Sequence, residues 1–169
     1  MEFAGILFDK DGTLFDFEAS WTGWVEGIVH ELSGGAPDRL EALAGALRFD
    51  LGAGRLQPDS PVIAGTVEEI CAAISPVLPG VPEKALVLRL NAAAAAAPMV
   101  PAVPLEPLLS GLRASGLRLG VATNATETEA MAHLRAAGIG AAFDFVAGFD
   151  SGHGAKPGPG MCRAFAEAM

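Results

Sequence analysis

Residues 3–14 read FAGILFDKDGTL, an apolar run that ends abruptly in a charged turn. The run Phe3–Phe8 is too short for a typical helix and has the composition of a buried strand. The turn after it begins with two carboxylates, Asp9 and Asp11, that flank a single lysine. Because ligands of open α/β sheets bind beyond the carboxyl ends of the strands, this turn is the first candidate for a functional site.

The segment from residue 18 to residue 97 is predicted to be entirely helical. Its apolar residues recur at helical spacing and indicate four helices and no strand. The second of these helices is predicted to run from Pro37 up to Gly52. The third begins at Thr66, which has the spacing of a capping box with Glu69. We therefore expect a small helical bundle with a core of its own.

After Pro98 the pattern alternates between helix and strand. Strands are predicted at residues 117–122 and 145–147, and a last helix is predicted to open at Lys156-Pro157. Such alternation predicts parallel strands joined by right-handed crossovers. The predicted fold is therefore an α/β core with a parallel sheet, made of residues 1–14 and 101–169. An all-helical insertion of residues 15–100 interrupts it.

The composition narrows the range of partners. The chain has 169 residues, of which 51% are hydrophobic, and a formal net charge of −9. An acidic surface repels a phosphate backbone, so nucleic acid is not expected as a partner. Prolines interrupt the most apolar stretch, residues 85–109, so no membrane span is predicted. Cys71 and Cys162 fit neither a metal-binding spacing nor a disulfide framework, and we expect a soluble cytoplasmic protein.

The two carboxylates of the turn suggest a metal site. Asp9 and Asp11 can aim at one point, and a hard dication such as Mg²⁺ would relieve their repulsion. Gly12 permits a tight turn where a side chain would crowd the site, and Thr13 can donate a local hydrogen bond. Gly12 and Thr13 are both predicted to bind the substrate. Taken alone, the Asp-x-Asp-Gly pattern is also common in polar turns. A calcium loop would need a third acidic ligand that this turn lacks.

The full string at residues 8–14, FDKDGTL, resembles the first motif of the haloacid dehalogenase superfamily, usually written DxDGT. The resemblance implies that Asp9 is the nucleophile and forms an aspartyl-phosphate. It implies that Asp11 is the general acid toward the leaving group and the base toward water. Both carboxylates would bind Mg²⁺. Lys10, at the variable position of the motif, is expected to point away from the metal and receives no catalytic role.

Two further motifs of the superfamily have counterparts in the expected order. Thr123, after the strand 117–122, would hydrogen-bond the transferring phosphoryl group, with Asn124 beside it at the substrate. Lys156, followed by Pro157, would neutralise Asp9 and the phosphate together as a point charge. The residues alone leave other roles open, because Thr or Asn can cap a helix here and a single Lys usually lies on the surface.

The resemblance implies an Mg²⁺-dependent phosphatase acting on a small phosphorylated metabolite, most like the phosphoglycolate phosphatase group, as a monomer or dimer. The helical insertion resembles the superfamily's cap, with residues 15–17 and 98–104 as two hinge strands. A dehalogenase of the superfamily lacks the second acidic residue, so Asp11 argues against that activity. A phosphomutase and a non-catalytic binding module remain alternatives.

The superfamily's fourth motif, an acidic pair after one more strand, has no counterpart before Met169. That motif completes the metal site. The strand before it normally pairs beside the first strand, so Phe3–Phe8 would keep an unpaired apolar edge. We therefore expect the sequence to be a fragment of a longer protein.

Overall fold

The computed structural model describes residues 3–169. Two compact units share the chain, one made of residues 3–17 and Pro98–Met169 and the other of Glu18–Ala97. The elements follow one another in the order β1 (Gly5–Phe8), α1 (Phe17–Ser33), α2 (Pro37–Ala46), β2 (Phe49–Asp50), β3 (Arg55–Leu56), α3 (Pro61–Ala64), α4 (Val67–Ile74), α5 (Glu83–Ala95), α6 (Leu105–Ala114), β4 (Arg118–Ala122), α7 (Glu127–Ala136), β5 (Phe145–Ala147) and α8 (Gly160–Ala168).

A parallel sheet organises the first unit. Its strand order is β1-β4-β5, so β4 lies in the centre. Phe8 of β1 pairs with Val121 of β4, and Ala122 of β4 pairs with Ala147 of β5. The three strands therefore end at one edge of the sheet, where the turn after β1 meets the residues that follow β4. The predicted α/β core with a parallel sheet is confirmed.

Helices cover both faces of this sheet. On one face, Val121 packs with Leu109 of α6 and Leu134 of α7. On the other face, Ala122 packs with Met161 of α8. Successive side chains of a strand point to opposite faces, so β4 is buried on both sides. That double burial explains why its sequence is almost continuously apolar.

The second unit has its own hydrophobic core, formed by buried side chains of α1, α2, α4 and α5 together with β2. The capping box at the start of α4 is present as predicted. The Thr66 hydroxyl accepts the N–H of Glu69, and the Glu69 carboxylate accepts the N–H of Thr66 at 2.7 Å. Within residues 3–169, no helix combines the length and the apolar character that crossing a bilayer requires.

The expectation that the insertion contains no strand is wrong. α2 ends at Ala46, and Phe49–Asp50 then pairs with Arg55–Leu56 as a short antiparallel hairpin. Arg48 enters the hairpin with a φ of 56°, which no right-handed helix tolerates. The predicted helix up to Gly52 therefore stops early. Strands of two residues are too short to show alternation in a sequence.

Three smaller differences also separate the structure from the expectation. The insertion contains an additional short helix, α3, which Ser60 caps. α8 begins at Gly160, so Lys156 lies in the loop before the helix and does not open it. The two predicted hinge strands are joined by an isolated bridge between Phe15 and Pro101 and do not form regular strands.

Asp144 ties the edge of the sheet to α6. Its backbone N–H donates to the carbonyl of Leu119 at 2.7 Å, and its carboxylate accepts the Leu119 N–H at 3.0 Å. The guanidinium groups of Arg113 and Arg118 lie 2.8 and 3.1 Å from its two oxygens. The Leu119 N–H, and then these two cations, hold the pKa of Asp144 below its usual range.

The change Asp144→Asn should lower the melting temperature at pH 7. Because the pKa of Asp144 is lower in the fold, its stabilisation is present above the unfolded value of about 3.8 and is lost as pH falls through the folded value. The difference in melting temperature between the variant and the wild type should therefore shrink below that pH. Thermal unfolding followed by circular dichroism across pH 2–7 measures it.

Asp59→Asn is the matched control for this experiment. Asp59 pairs with Arg48 at 3.2 Å, but both side chains are more than half exposed. An exposed pair contributes little to stability, so this variant should follow the wild type. An Asp144→Asn melting temperature that equals the wild-type value at pH 7 would contradict the proposed role of Asp144.

Candidate active site

Asp9 opens a tight loop at the carboxyl end of β1. The backbone N–H of Lys10 donates to Asp9 Oδ1 at 2.7 Å. Gly12, with a φ of 76°, turns the chain in a conformation that suits glycine, and its N–H donates to the carbonyl of Phe15 at 2.8 Å. Thr13 lies exposed in the same loop. These contacts fix the shape of the loop.

Lys156 reaches Asp9 from the loop that follows β5. Its Nζ lies 2.6 Å from Asp9 Oδ1 and donates to the carbonyl of Ala122, the last residue of β4, at 3.2 Å. The Lys156 side chain is 34% exposed and that of Asp9 is 45% exposed, so solvent reaches the pair. The structure therefore places a cation beside the carboxylate that the sequence nominates as nucleophile.

Asn124 fixes the backbone of Lys156. Asn124 Oδ1 accepts the N–H of Lys156 at 2.7 Å, and Asn124 Nδ2 donates to the carbonyl of Lys156 at 3.1 Å. A side-chain amide that pairs with both polar groups of one residue sets the position of that residue. The structure thus gives Asn124 a positioning role. Its expected contact with a substrate stays a prediction.

Thr123 extends the sheet past the end of β4. Its N–H donates to the carbonyl of Ala147 at 3.0 Å, and its hydroxyl oxygen accepts the N–H of Ala125 at 3.1 Å. The residue is 2% exposed. The cap of α7 is Thr126, whose hydroxyl accepts the N–H of Glu129. Thr123 is therefore not the helix cap, and its own O–H proton can be donated toward the site.

Lys10 lies in a buried polar cluster, whereas the sequence predicts only that its side chain points away from the metal. Its side chain is fully buried, and Nζ lies 3.0 Å from Asp11 Oδ1, 3.4 Å from Glu129 Oε1 and 3.0 Å from His133 Nδ1. An ammonium group has only donors, so the His133 nitrogen accepts. The spacing of residues in α7 contains a sign of this cluster. Glu129 and His133 are i, i+4 neighbours beside Ala130 and Leu134, and all four lie on the buried face of the helix.

Glu129 ionises with difficulty in this cluster. Burial raises its pKa from 4.5 to about 6, the Lys10 ammonium opposes the shift, and the charge of Asp11 adds to it. When a carboxyl group with limited access to water loses its proton, the carboxylate that forms is poorly solvated, which disfavours ionisation. Glu129 therefore titrates at a pH where most carboxylates are already charged.

This raised pKa makes the stability of the chain depend on pH in a defined window. Between pH 4.5 and about 6 the folded Glu129 keeps a proton that the unfolded one has lost, so its stabilisation falls as pH rises. Glu129→Gln removes this dependence. The free energy of unfolding of the variant, relative to the wild type, should rise by about 2 kcal/mol from pH 4 to pH 7.

Urea unfolding in EDTA at several pH values measures this difference. Glu106→Gln, an exposed position in the first turn of α6, is the matched control and should show the wild-type pH dependence. A Glu129→Gln difference that stays constant between pH 4 and pH 7 would show that the folded and unfolded carboxyls titrate alike.

The described residues supply two carboxylates for a cation at this site. No group of three or more His, Cys, Asp or Glu side chains within residues 3–169 is arranged to hold a metal. Asp9 and Asp11 follow the same strand end, and one or two carboxylates suffice for Mg²⁺ when phosphate and water complete its shell. The residues present therefore fit an Mg²⁺ ion whose other ligands would come from outside the protein.

Comparison with known families places the chain in one of them. The family model described as haloacid dehalogenase-like hydrolase matches residues 3–169. No curated protein sequence matches the chain. The match includes the carboxylates of the first loop, Thr123 and Lys156, and it covers both compact units.

Solved structures show the same fold at low sequence identity. An L-2-haloacid dehalogenase from Xanthobacter autotrophicus aligns with a TM-score of 0.57 and 19% identity, covering 98% of this chain and 64% of that one. A protein described as a predicted phosphoglycolate phosphatase from Haemophilus somnus aligns with a TM-score of 0.63 and 18% identity, covering 97% and 72%. The chain thus spans less than two thirds of the dehalogenase.

Proposed function

Because this chain belongs to the haloacid dehalogenase-like hydrolase family, we propose that it is an Mg²⁺-dependent phosphatase of small phosphorylated metabolites. The observation that carries the proposal is the contact of 2.6 Å between Lys156 Nζ and Asp9 Oδ1. A cation at this place can neutralise a phosphate that approaches the carboxylate. The first candidate substrate is phosphoglycolate, and the proposed location of the protein is the cytoplasm.

Asp9 is the nucleophile in this proposal. Both of its hydrogen-bonding contacts fall on Oδ1, from the Lys10 N–H and from Lys156 Nζ. Oδ2 attacks the phosphorus atom, the bond between phosphorus and the ester oxygen breaks, and an aspartyl-phosphate forms. The Lys156 ammonium offsets the charge of the transferring group. The Thr123 hydroxyl, which accepts from Ala125, donates its proton to a phosphoryl oxygen.

Asp11 transfers the protons. Its carboxyl group gives a proton to the departing ester oxygen and so becomes a carboxylate. It then takes a proton from the water that attacks phosphorus, and the bond between phosphorus and Asp9 breaks. Inorganic phosphate leaves, and Asp9 returns as a carboxylate. Asp9 would hold the Mg²⁺ ion, joined by Asp11 when Asp11 is a carboxylate, and the ion when bound supplies Lewis-acid stabilisation of the phosphoryl oxygens.

Dehalogenation is the competing activity within the family. One structural neighbour is named an L-2-haloacid dehalogenase. A nucleophilic carboxylate alone suffices to displace a halide, whereas an ester oxygen needs a proton on leaving. Asp11 supplies that proton and therefore favours the phosphatase.

Asp9→Asn should abolish phosphatase activity. An amide is a poor nucleophile, so kcat/KM for p-nitrophenyl phosphate should fall by at least about 10⁴-fold. The assay uses the full-length gene product with Mg²⁺, and EDTA should remove the wild-type activity until Mg²⁺ is restored. Asp38→Asn, exposed in the first turn of α2, is the matched control and should keep the wild-type rate.

The same preparations are tested with 2-chloropropionate. Chloride release by the wild type together with no phosphate release would assign the chain to the dehalogenases and overturn the proposal. Normal hydrolysis of p-nitrophenyl phosphate by Asp9→Asn would overturn the assignment of the nucleophile.

Asn124→Ala should reduce activity although the Lys156 side chain itself is unchanged. The change removes the two hydrogen bonds that position the Lys156 backbone, and a misplaced charge of this kind costs about 100-fold in kcat/KM. Steady-state kinetics measure the effect. Thr128→Ala, exposed on α7, is the control, and an Asn124→Ala rate equal to that of the control would contradict the positioning role.

A further inference from the structure

Lys10 is the most unusual residue of the loop after β1, because its whole side chain is buried. Burying an ammonium group is unfavourable unless charged and polar partners replace the hydration that it loses. Here the partners come from two directions. Asp11 is the next residue in the loop, and Glu129 and His133 lie on α7.

The cluster joins the catalytic loop to a rigid element. Glu129 and His133 occupy neighbouring turns of α7, a helix of ten residues with a capped start and a buried face. Their side chains are 7% and 2% exposed, and the ammonium lies between them and Asp11. The contacts with α7 thus fix the position of Lys10 Nζ. The ion pair of 3.0 Å between Lys10 Nζ and Asp11 Oδ1 in turn restrains the Asp11 carboxyl group.

The position of Asp11 matters more than that of an ordinary surface carboxylate. Its side chain is 18% exposed, and a flexible aspartate could rotate about its side-chain torsions away from a leaving group. A general acid must lie within hydrogen-bond reach of the oxygen that it protonates. A buried cation at a set distance restricts these rotations.

We propose that Lys10, anchored by Glu129 and His133, is a positioning residue that orients the Asp11 carboxyl toward the leaving-group oxygen. The proposal rests on the phosphatase function above and assigns a role to three residues that the mechanism does not otherwise use. Lys10 does not contact the substrate. It acts through Asp11. Replacing Lys10 should therefore slow the hydrolysis of esters whose leaving group needs a proton from Asp11.

Leaving-group chemistry separates this role from a merely structural one. p-Nitrophenolate is a stable anion that departs with little help from an acid, whereas the alkoxide of an alkyl phosphate needs a proton as it leaves. The ratio of kcat/KM for the two esters therefore reports on the acid. General loosening of the fold would lower both values by the same factor.

The experiment compares the wild type with Lys10→Met and with Lys84→Met in the full-length gene product with Mg²⁺. Lys84 is exposed at the start of α5 and serves as the matched control. Each protein is assayed with p-nitrophenyl phosphate and with 2-phosphoglycolate. Lys10→Met should lose about 100-fold in kcat/KM on the alkyl ester and less than about threefold on the aryl ester. Lys84→Met should match the wild type on both.

A double-mutant cycle with Asp11→Asn identifies the residue through which Lys10 acts. In the Asp11→Asn background, Lys10→Met should leave the ratio of the two kcat/KM values unchanged, because the acid is already absent. Lys10→Gln, which keeps an N–H donor without the charge, should restore part of the alkyl-ester activity. A ratio that changes equally in both backgrounds would overturn the proposal.

Circular dichroism and urea unfolding establish that each variant is folded. If Lys10→Met does not fold, Glu129→Gln is the variant that tests the proposal, because it weakens the contact with Lys10 but keeps the lysine. Glu129→Gln should lower kcat/KM for the alkyl ester and not for the aryl ester. An equal loss on both esters, or no loss on either, overturns the positioning role and leaves the phosphatase intact. A wild type that hydrolyses neither ester overturns the phosphatase, and with it this inference.

Discussion

The parallel pairing of β1 with β4 is the contact on which the rest of the site depends. Phe8 and Val121 are partners, so the residues just beyond each strand meet at one edge of the sheet. Asp9 directly follows β1, and Thr123 directly follows β4. A slip of one residue would turn every side chain of β1 to the opposite face. The burial of β4 between two helical layers opposes such a slip. The register of β1 with β4 therefore determines where Asp9 and Thr123 lie.

A second constraint links this edge to a distant part of the chain. Asn124 holds the backbone of Lys156, and Lys156 contacts both Asp9 and the last residue of β4. The ion pair itself is partly exposed and contributes little to stability. Its significance is geometric, because residues that follow β1, β4 and β5 meet at Lys156. Stability comes instead from the apolar side chains on both faces of the sheet.

The cluster around Lys10 follows a different principle. Charges inside a protein are weak evidence for stability, since desolvation offsets most of their attraction. Glu129 illustrates this cost through its raised pKa. An arrangement that costs stability and contacts a candidate general acid is more easily understood as a contribution to catalysis. Binding and catalytic sites commonly contain such locally unfavourable features.

The amino-acid sequence alone was sufficient for the class of fold and for the candidate loop. Buried parallel strands are recognisable from short apolar runs, helices from their spacing, and the α4 cap from Thr66 and Glu69, because each signal is local. The FDKDGTL string, with Thr123 and Lys156 in order, also pointed to the family that the comparisons then showed. Two-residue strands such as Phe49–Asp50 carry no readable period and were missed.

Tertiary structure decided which side chains meet. Lys10 and Glu129 are 119 residues apart in the chain, and no local pattern relates a lysine in a turn to a glutamate on a later helix. The pairing of Asn124 with the backbone of Lys156 is a second example. Such contacts depend on strand register and on how a helix packs against a sheet. Strand register and helix packing are both set by burial of the whole core. The order of residues along the chain does not show directly which of them are buried together.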